Sequence, residues 1–215
     1  MPTDAHSLWL IMAAKAMNIP VICDVDDLIT PDYNEVYNYH MDCLDLCDVI
    51  ICATTELQKH LSNYRTVVIE NFLNLNMEPK RHKSLRPTIV VRGSMARADD
   101  YEYYKDMFIE IEHRLQPKWY FMGYRPDFFK PALGEFITFT QPMQYFHRLC
   151  TINPHFIFHP ITDSPVNRCK SKSVYWEANL CKAQLITTAT WWDSPNIITD
   201  IKDMSIPVQA AVKDP

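Results

Sequence analysis

Short uninterrupted apolar runs recur along the chain, and between them lie stretches with an apolar residue every three or four positions. The runs predict buried strands at 20–23, 49–53, 66–69, 88–91, 119–122, 136–139, 156–158 and 185–190. The periodic stretches predict helices at 5–17, 34–47, 55–62, 99–115 and 142–150, and a further helix that carries Lys170, Lys172 and Glu177. Helices that alternate with apolar strands are typical of parallel sheets covered on both faces. We therefore expect an α/β fold.

A polar, basic and proline-containing segment at 73–87 interrupts this alternation. Such composition is typical of a linker between domains. We predict a first domain at 1–74, a linker at 75–87, a second domain at 88–192 and a connection at 193–215. The last of these has weak periodicity, and we expect it to lie on the surface with at most one short helix.

Composition narrows the class of protein. The net charge of −5 argues against a protein that mainly grips nucleic acid. Seven cysteines without a CxxC pair, and no secretory leader, favour reduced thiols and a cytoplasmic location. The apolar stretch 8–17 is too short to span a bilayer. No glycine precedes Gly93, so the first half lacks the glycine-rich loop of dinucleotide-binding folds.

Three acidic residues, Asp24, Asp26 and Asp27, follow the first predicted strand. Alternating carboxylates at a strand end can line a ligand cleft and hold a divalent metal, or serve as nucleophile and acid in a phosphatase. The phosphatase pattern expects a threonine where this chain has Leu28. The carboxylates can also simply face water, and the sequence leaves these alternatives open.

His40, Cys43 and Cys47 share one face of the helix predicted at 34–47. Imidazole and thiolate are ligands that zinc prefers. Cysteine is also among the most buried residue types, and no fourth ligand lies at a suitable spacing. We therefore favour a packed core face over a zinc site.

Two stretches in the second half carry anion-binding chemistry. Arg92, Gly93 and Ser94 follow a predicted strand, where backbone N–H groups and a guanidinium can cradle a phosphate, although an ordinary turn explains them as well. Lys170 and Glu177 are seven residues apart, which puts them on one helical stripe with apolar neighbours. Because inward charges are costly without partners, we favour a ligand that supplies them over two solvated charges.

Several stretches resemble the GT-B nucleotide-sugar glycosyltransferases of the group 1 type. They are IPVICDVDDL, CDVIICATTELQKHL, VVIENFLN, IVVRGSMARADDYEYYKDMFIEIE, WYFMGY and HPITDSPVNRCKSKSVYWEANLCKAQLITT. The last is the most specific, and its short Asn-x-x-Lys-Ser spacing is similar to forms in bacterial and phage genomes. The resemblance implies two Rossmann-like parallel-sheet domains, of which the N-terminal one is incomplete.

The resemblance also implies a site and a reaction. The donor would be a nucleoside diphosphate sugar bound in the cleft between domains, without an obligatory metal, and its sugar would move with retention to an acceptor. Arg92 and Lys170 would neutralise the diphosphate, Glu177 would hold the ribose, and the backbone around Gly93 and Ser94 would approach the phosphates. The remaining motif residues are Pro160, Ile161, Asn167 and Ser171.

The chain departs from the family in ways that leave an alternative open. Cys169 stands where the family has an acidic residue, and Lys182 stands where it usually has glycine. The first strands of the N-terminal domain are missing, so we expect a homo-oligomer or a partner chain that completes it. The alternative is an inactive structural or assembly protein of the same fold, such as a virion component of a phage.

Overall fold

The computed structural model describes residues 4–73, 79, 84–130, 134–138, 141–192 and 197–199. The chain divides into two compact units, one of Met1–Phe72 with Asp163–Lys172 and one of Leu73–Thr162 with Ser173–Pro215. Most of the predicted linker 75–87 and of the segment 193–215 lies outside the described residues.

The chain up to residue 72 forms a small three-stranded α/β layer. Its elements are α1 (Ala5–Ala16), β1 (Ile22–Val25), a 3-10 turn (Pro31–Tyr33), α2 (Asn34–Leu46), β2 (Val49–Cys52), α3 (Thr55–His60) and β3 (Thr66–Val68). The three strands are parallel in the order β1-β2-β3. The helix starts follow from sequence, because Asp4 and Thr54 accept hydrogen bonds from the N–H groups of Ser7 and Leu57.

The rest of the chain builds a larger parallel sheet. Its elements are β4 (Thr88–Gly93), a 3-10 turn (Met95–Arg97), α4 (Ala98–Tyr103), α5 (Lys105–Leu115), β5 (Lys118–Gly123), β6 (Gly134–Ile137), α6 (Pro142–Ile152), β7 (Phe156–His159), α7 (Pro165–Arg168), α8 (Ser173–Leu180), β8 (Gln184–Thr187) and β9 (Ile197–Ile198). The strand order is β6-β5-β4-β7-β8-β9, and every pairing is parallel. The two central strands, β4 and β7, are therefore neighbours.

An aromatic cluster fills one side of this larger sheet. Phe108 and Trp119 are fully buried, and the ring centroids of Phe108 and Phe158 lie 4.8 Å apart in an edge-to-face contact. Such rings bury the largest apolar areas of any side chains. The apolar runs of the sequence thus become central strands with both faces covered.

One predicted helix differs from the structure. The helix at 99–115 is two helices, α4 and α5, that meet at Tyr104, whose φ and ψ of −99° and 22° are not helical. No glycine or proline marks this break in the sequence. Of the segment 193–215 the structure describes residues 197–199, and β9 there pairs with β8.

The predicted second domain at 88–192 is not continuous. Its segment Asp163–Lys172 belongs to the first unit. Cys169 is buried in the first unit's core, and Thr54 donates a hydrogen bond of 2.9 Å to the Cys169 carbonyl. Thr54 and Cys169 are 115 residues apart, so local sequence patterns do not predict this contact.

Two cysteines of the first unit lie next to each other. The sulfur atoms of Cys23 and Cys47 are in contact, and their Cα atoms are 6.3 Å apart, a separation that a disulfide can bridge. That the thiols are reduced stays a prediction. Among the described helices, none is long and apolar enough to cross a membrane.

Substitutions at Thr54 test how the segment Asp163–Lys172 is attached to the rest of the first unit. We expect Thr54→Ala to lower the free energy of unfolding by about 1–2 kcal/mol, because both the α3 cap and the hydrogen bond to Cys169 are lost. Thr54→Ser keeps the hydroxyl and should cost much less. Urea denaturation measures both variants, and equal losses would contradict the role of the hydroxyl.

Candidate functional site

The carboxyl ends of β4 and β7 lie side by side at the carboxyl edge of the larger sheet, which is the side on which its parallel strands end. This is the edge at which open parallel sheets bind ligands. Arg92 is the last residue but one of β4, and Glu177 lies in the second turn of α8, the helix that packs on β7 and β8. The sheet therefore brings together two residues that are far apart in sequence.

Arg92 and Glu177 form an ion pair at this edge. Arg92 Nε lies 3.0 Å from Glu177 Oε2, and Arg92 Nη2 donates to the hydroxyl of Ser173 at 2.7 Å. Glu177 is 4% exposed, whereas the Arg92 side chain is 26% exposed. The carboxylate is thus held inside the protein, while part of the Arg92 side chain is exposed.

A half-buried tyrosine completes the pair. Tyr145 on α6 donates its hydroxyl to the same oxygen, Glu177 Oε2, at 2.7 Å. Burial, and after it the charge of Glu177, raises the pKa of Tyr145 well above its usual value. Burial lowers the pKa of Arg92, but the charge of Glu177, the nearby Tyr145 and Tyr101 and the hydrogen bond to Glu177 together outweigh burial, and the pKa lies above its usual value. Arg92 is a cation and Tyr145 a hydrogen-bond donor throughout the physiological pH range.

Both partners retain hydrogen-bonding capacity. Within the described chain, Arg92 Nη1 donates no hydrogen bond and Glu177 Oε1 accepts none. Oε1 is also not sealed from solvent. The site therefore offers cationic N–H groups beside an anionic acceptor at the edge of the sheet, which suits a ligand with an anionic part and hydroxyl groups.

Gly93 is required by close packing. A Cβ atom at this position would lie 2.6 Å from Tyr101 Oη and 2.8 Å from Arg97 Cγ. The Tyr101 hydroxyl donates to the Arg92 carbonyl at 2.9 Å, which fixes the strand end. Ser94 Oγ accepts from the N–H of Ala96 and begins the 3-10 turn.

A second buried carboxylate braces the same edge. Asp100 forms an ion pair with Arg97 at 2.8 Å and accepts hydrogen bonds from the N–H and hydroxyl of Thr162, at 2.8 and 2.6 Å. The loop after β7 is held in turn by Thr188, whose hydroxyl accepts from Ile161 N at 2.8 Å and donates to Ile161 O at 2.6 Å. Pro160 and Ile161 are accordingly buried backbone supports of the site.

Several of these residues were missed from sequence. Tyr145, Ser173 and Asp100 were not predicted as members of a site. Tyr145 carries one usable signal, because it lies four residues before the buried Leu149 on one face of α6. An inward tyrosine needs a partner for its hydroxyl.

The predicted stripe with Lys170 and Glu177 is wrong. Helix α8 begins at Ser173, and Lys170 lies in the link between α7 and α8. Lys170 Nζ pairs with Asp27 at 2.6 Å, within the first unit. The break follows from Ser164 and Pro165, which start a separate short helix before α8.

The neighbouring motif residues also belong to the first unit. Asn167 is buried, and its N–H donates to Ser164 Oγ at 3.2 Å, whereas Ser171 is half-buried in the link. Cys169 is fully buried, and burial raises the pKa of its thiol to about 11. A carboxylate at this position, as in the family pattern, would have to be buried in an apolar core.

The acidic and histidine-cysteine candidates form no metal centre in the described ranges, where no group of three or more potential ligands comes together. Asp24 is exposed on β1, and Asp26 accepts a hydrogen bond of 3.2 Å from the Asn71 amide. His40 and Cys43 are buried, and Cys43 belongs to the core of the first unit.

Solved structures identify the fold. One is TarM, with a TM-score of 0.61 and 11% identity over 92% of this chain and 44% of that chain. A second is the pneumococcal O-GlcNAc transferase GtfA in complex with UDP and GlcNAc, with a TM-score of 0.58 and 13% identity over 95% and 46%. A third is the Glycosylation Associate Protein (Gap123) complex from Streptococcus agalactiae, with a TM-score of 0.54 and 11% identity over 97% and 46%.

The chain has the fold of the GT-B glycosyltransferases. The predicted α/β class with two Rossmann-like parallel sheets is confirmed. This chain spans less than half the length of the solved chains that it matches. No family model and no curated protein matches its sequence.

The two ion pairs should differ in their contribution to stability. We expect Glu177→Gln to lower the free energy of unfolding by about 1–3 kcal/mol, because it leaves the largely buried Arg92 without a counter-charge. Lys170→Met should cost less than about 1 kcal/mol, since the partner left without a counter-charge, Asp27, is 46% exposed, whereas Arg92 is 26% exposed. Urea denaturation compares them, and a larger loss for Lys170→Met would contradict this ranking.

Proposed function

We propose that this protein is a glycosyltransferase that moves a sugar from a nucleoside diphosphate sugar to an acceptor, with retention. The observation that carries the proposal is the Arg92–Glu177 pair at the carboxyl edge of β4 and β7. Its open N–H groups and open carboxylate oxygen match the two polar parts of such a donor, the diphosphate and the ribose diol.

The chemistry follows from charge. As the sugar leaves the donor, negative charge develops on the diphosphate, and a fixed guanidinium next to it stabilises that charge. Arg92 is already oriented by Glu177 and Ser173, so little reorganisation is needed when the charge appears. The backbone at Gly93 and Ser94 lies beside this guanidinium. We propose that the cation replaces an obligatory metal.

Other features support a nucleotide donor less directly. The GtfA structure contains UDP and GlcNAc, and a structure of a Staphylococcus aureus TarM mutant contains UDP. Lys170, Asn167 and Ser171 in the segment 163–172 stay predicted donor contacts, and Asp24 and Asp26 stay candidate acids. The cytoplasmic location also stays a prediction.

A panel of nucleotides tests the proposal. UDP, GDP and ADP, each with and without a sugar, are added at saturating concentration in a thermal-shift assay. At about 100 times its Kd, a ligand contributes about 2.7 kcal/mol, which raises the Tm by several degrees. Arg92→Met should abolish the shift, because the diphosphate loses its cation. The matched control is Arg114→Met, since Arg114 pairs on the surface with Glu110.

If no nucleotide shifts the Tm of the folded protein, the donor site does not exist. The alternative is then an inactive protein of this fold with a structural or assembly role. Its specific support is that the charges of Arg92 and Glu177 already compensate each other without a ligand. A protein that binds the nucleotide sugar but never hydrolyses or transfers its sugar would also favour this alternative.

We further propose that a second chain, identical or different, covers β1. The carbonyls of Val21 and Val25 accept from Asp48 and Ala53 on the β2 side. Because backbone groups alternate along a strand, those of Ile22 face the opposite edge, which no described strand pairs. The stretch 9–22, which leads into β1, also carries exposed large apolar side chains: Trp9, Leu10, Met12, Met17, Ile19 and Ile22. Such surfaces mark interfaces.

Ile22→Lys tests this surface. We expect the wild-type chain to self-associate through this surface, and Ile22→Lys to weaken association by placing a charge on the unpaired edge strand. The control is Val67→Lys on β3, the other edge strand, where Val67 is 46% exposed. Light scattering after gel filtration gives the masses. A wild-type monomer would exclude the homo-oligomer.

A further inference from the structure

Two donors converge on one oxygen of Glu177. Arg92 Nε lies 3.0 Å and Tyr145 Oη 2.7 Å from Oε2. A carboxylate has two oxygens with about four acceptor positions. In the described structure the protein uses only Oε2, and Oε1 accepts no hydrogen bond.

This asymmetry fixes the carboxylate group. The terminal torsion of a glutamate is broad, so an unrestrained carboxylate would exchange its two oxygens. Donors from α6 and β4 hold Oε2 from two separate elements. Oε1 is therefore left as the oxygen that a ligand can reach.

Tyr145 differs from Arg92 in what it can do. Arg92 has open N–H groups and can bind a ligand itself. The single proton of the Tyr145 hydroxyl is already donated to Glu177. We therefore expect Tyr145 to act on the hydroxyl groups of a ligand through the carboxylate.

We propose that Tyr145 is a positioning residue that makes Glu177 selective for a vicinal diol, and thus for the ribose of a nucleotide. The role rests on the proposed donor site. With Oε2 held, Oε1 accepts from the ligand's hydroxyl groups in one fixed direction. Without Tyr145 the carboxylate keeps its charge and its pairing with Arg92 but loses one restraint.

The test compares ribose with dideoxyribose. Isothermal titration calorimetry measures UDP, GDP and ADP and their 2′,3′-dideoxy forms, together with inorganic pyrophosphate. We expect the wild type to prefer the ribonucleotide by about tenfold or more, because the unpaired carboxylate oxygen is costly without hydroxyl donors. Tyr145→Phe should reduce this preference several-fold and leave pyrophosphate affinity within about twofold, since Arg92 is retained.

Tyr175→Phe is the matched control. Tyr175 lies on α8, the same helix as Glu177, and its ring contacts Trp176 with no hydrogen bond from its hydroxyl in the described structure. This variant should keep the wild-type preference. Retained pyrophosphate binding shows that Tyr145→Phe is folded at the site.

The outcomes separate the two proposals. If the wild type binds no nucleotide, the donor site fails and the role of Tyr145 fails with it. If the wild type binds but Tyr145→Phe keeps the full ribose preference, only the positioning role is overturned. If Tyr145→Phe loses pyrophosphate and ribose recognition equally, Tyr145 is a general structural support and the proposal is also overturned.

Discussion

The burial of one carboxylate organises the larger unit. A buried carboxylate needs hydrogen-bond donors, and Glu177 receives two, the Arg92 guanidinium on β4 and the Tyr145 hydroxyl on α6. The strand order puts β4 beside β7, so α8, which follows β7 in the chain, can deliver the acid to the end of β4. Topology and electrostatics therefore specify the same edge of the sheet.

Separate hydrogen bonds hold the residues around the Arg92–Glu177 pair. Gly93 lets Tyr101 approach the strand end, and Tyr101 holds the Arg92 carbonyl. Asp100 and Thr162 join α4 to the loop after β7. A site in which the supporting groups are themselves hydrogen-bonded is preorganised, which is what stabilisation of a developing charge requires.

The sequence predicted the strands better than the helices. Buried central strands are continuous apolar runs, so their positions can be read directly from the order of apolar residues in the sequence. The helix break at Tyr104 left no comparable signal, and the break before Ser173, although Ser164 and Pro165 mark it, was not predicted and produced the incorrect stripe. Arg92 and Glu177 could be named from their residue types and positions in the sequence, but their contact could not. Tyr145 was missed because its partner lies 32 residues away, and local periodicity contains no such information.

The segment Asp163–Lys172, which belongs to the first unit although it follows β7 in the chain, has a consequence for the order of folding. The first core needs Cys169, yet this residue is synthesised only after β4 to β7 of the second unit. During translation the three-stranded sheet therefore emerges long before the residues that finish its core. Since domains usually fold as they leave the ribosome, the N-terminal sheet must wait with part of its apolar surface uncovered. Chaperones that hold nascent chains would meet it in that interval.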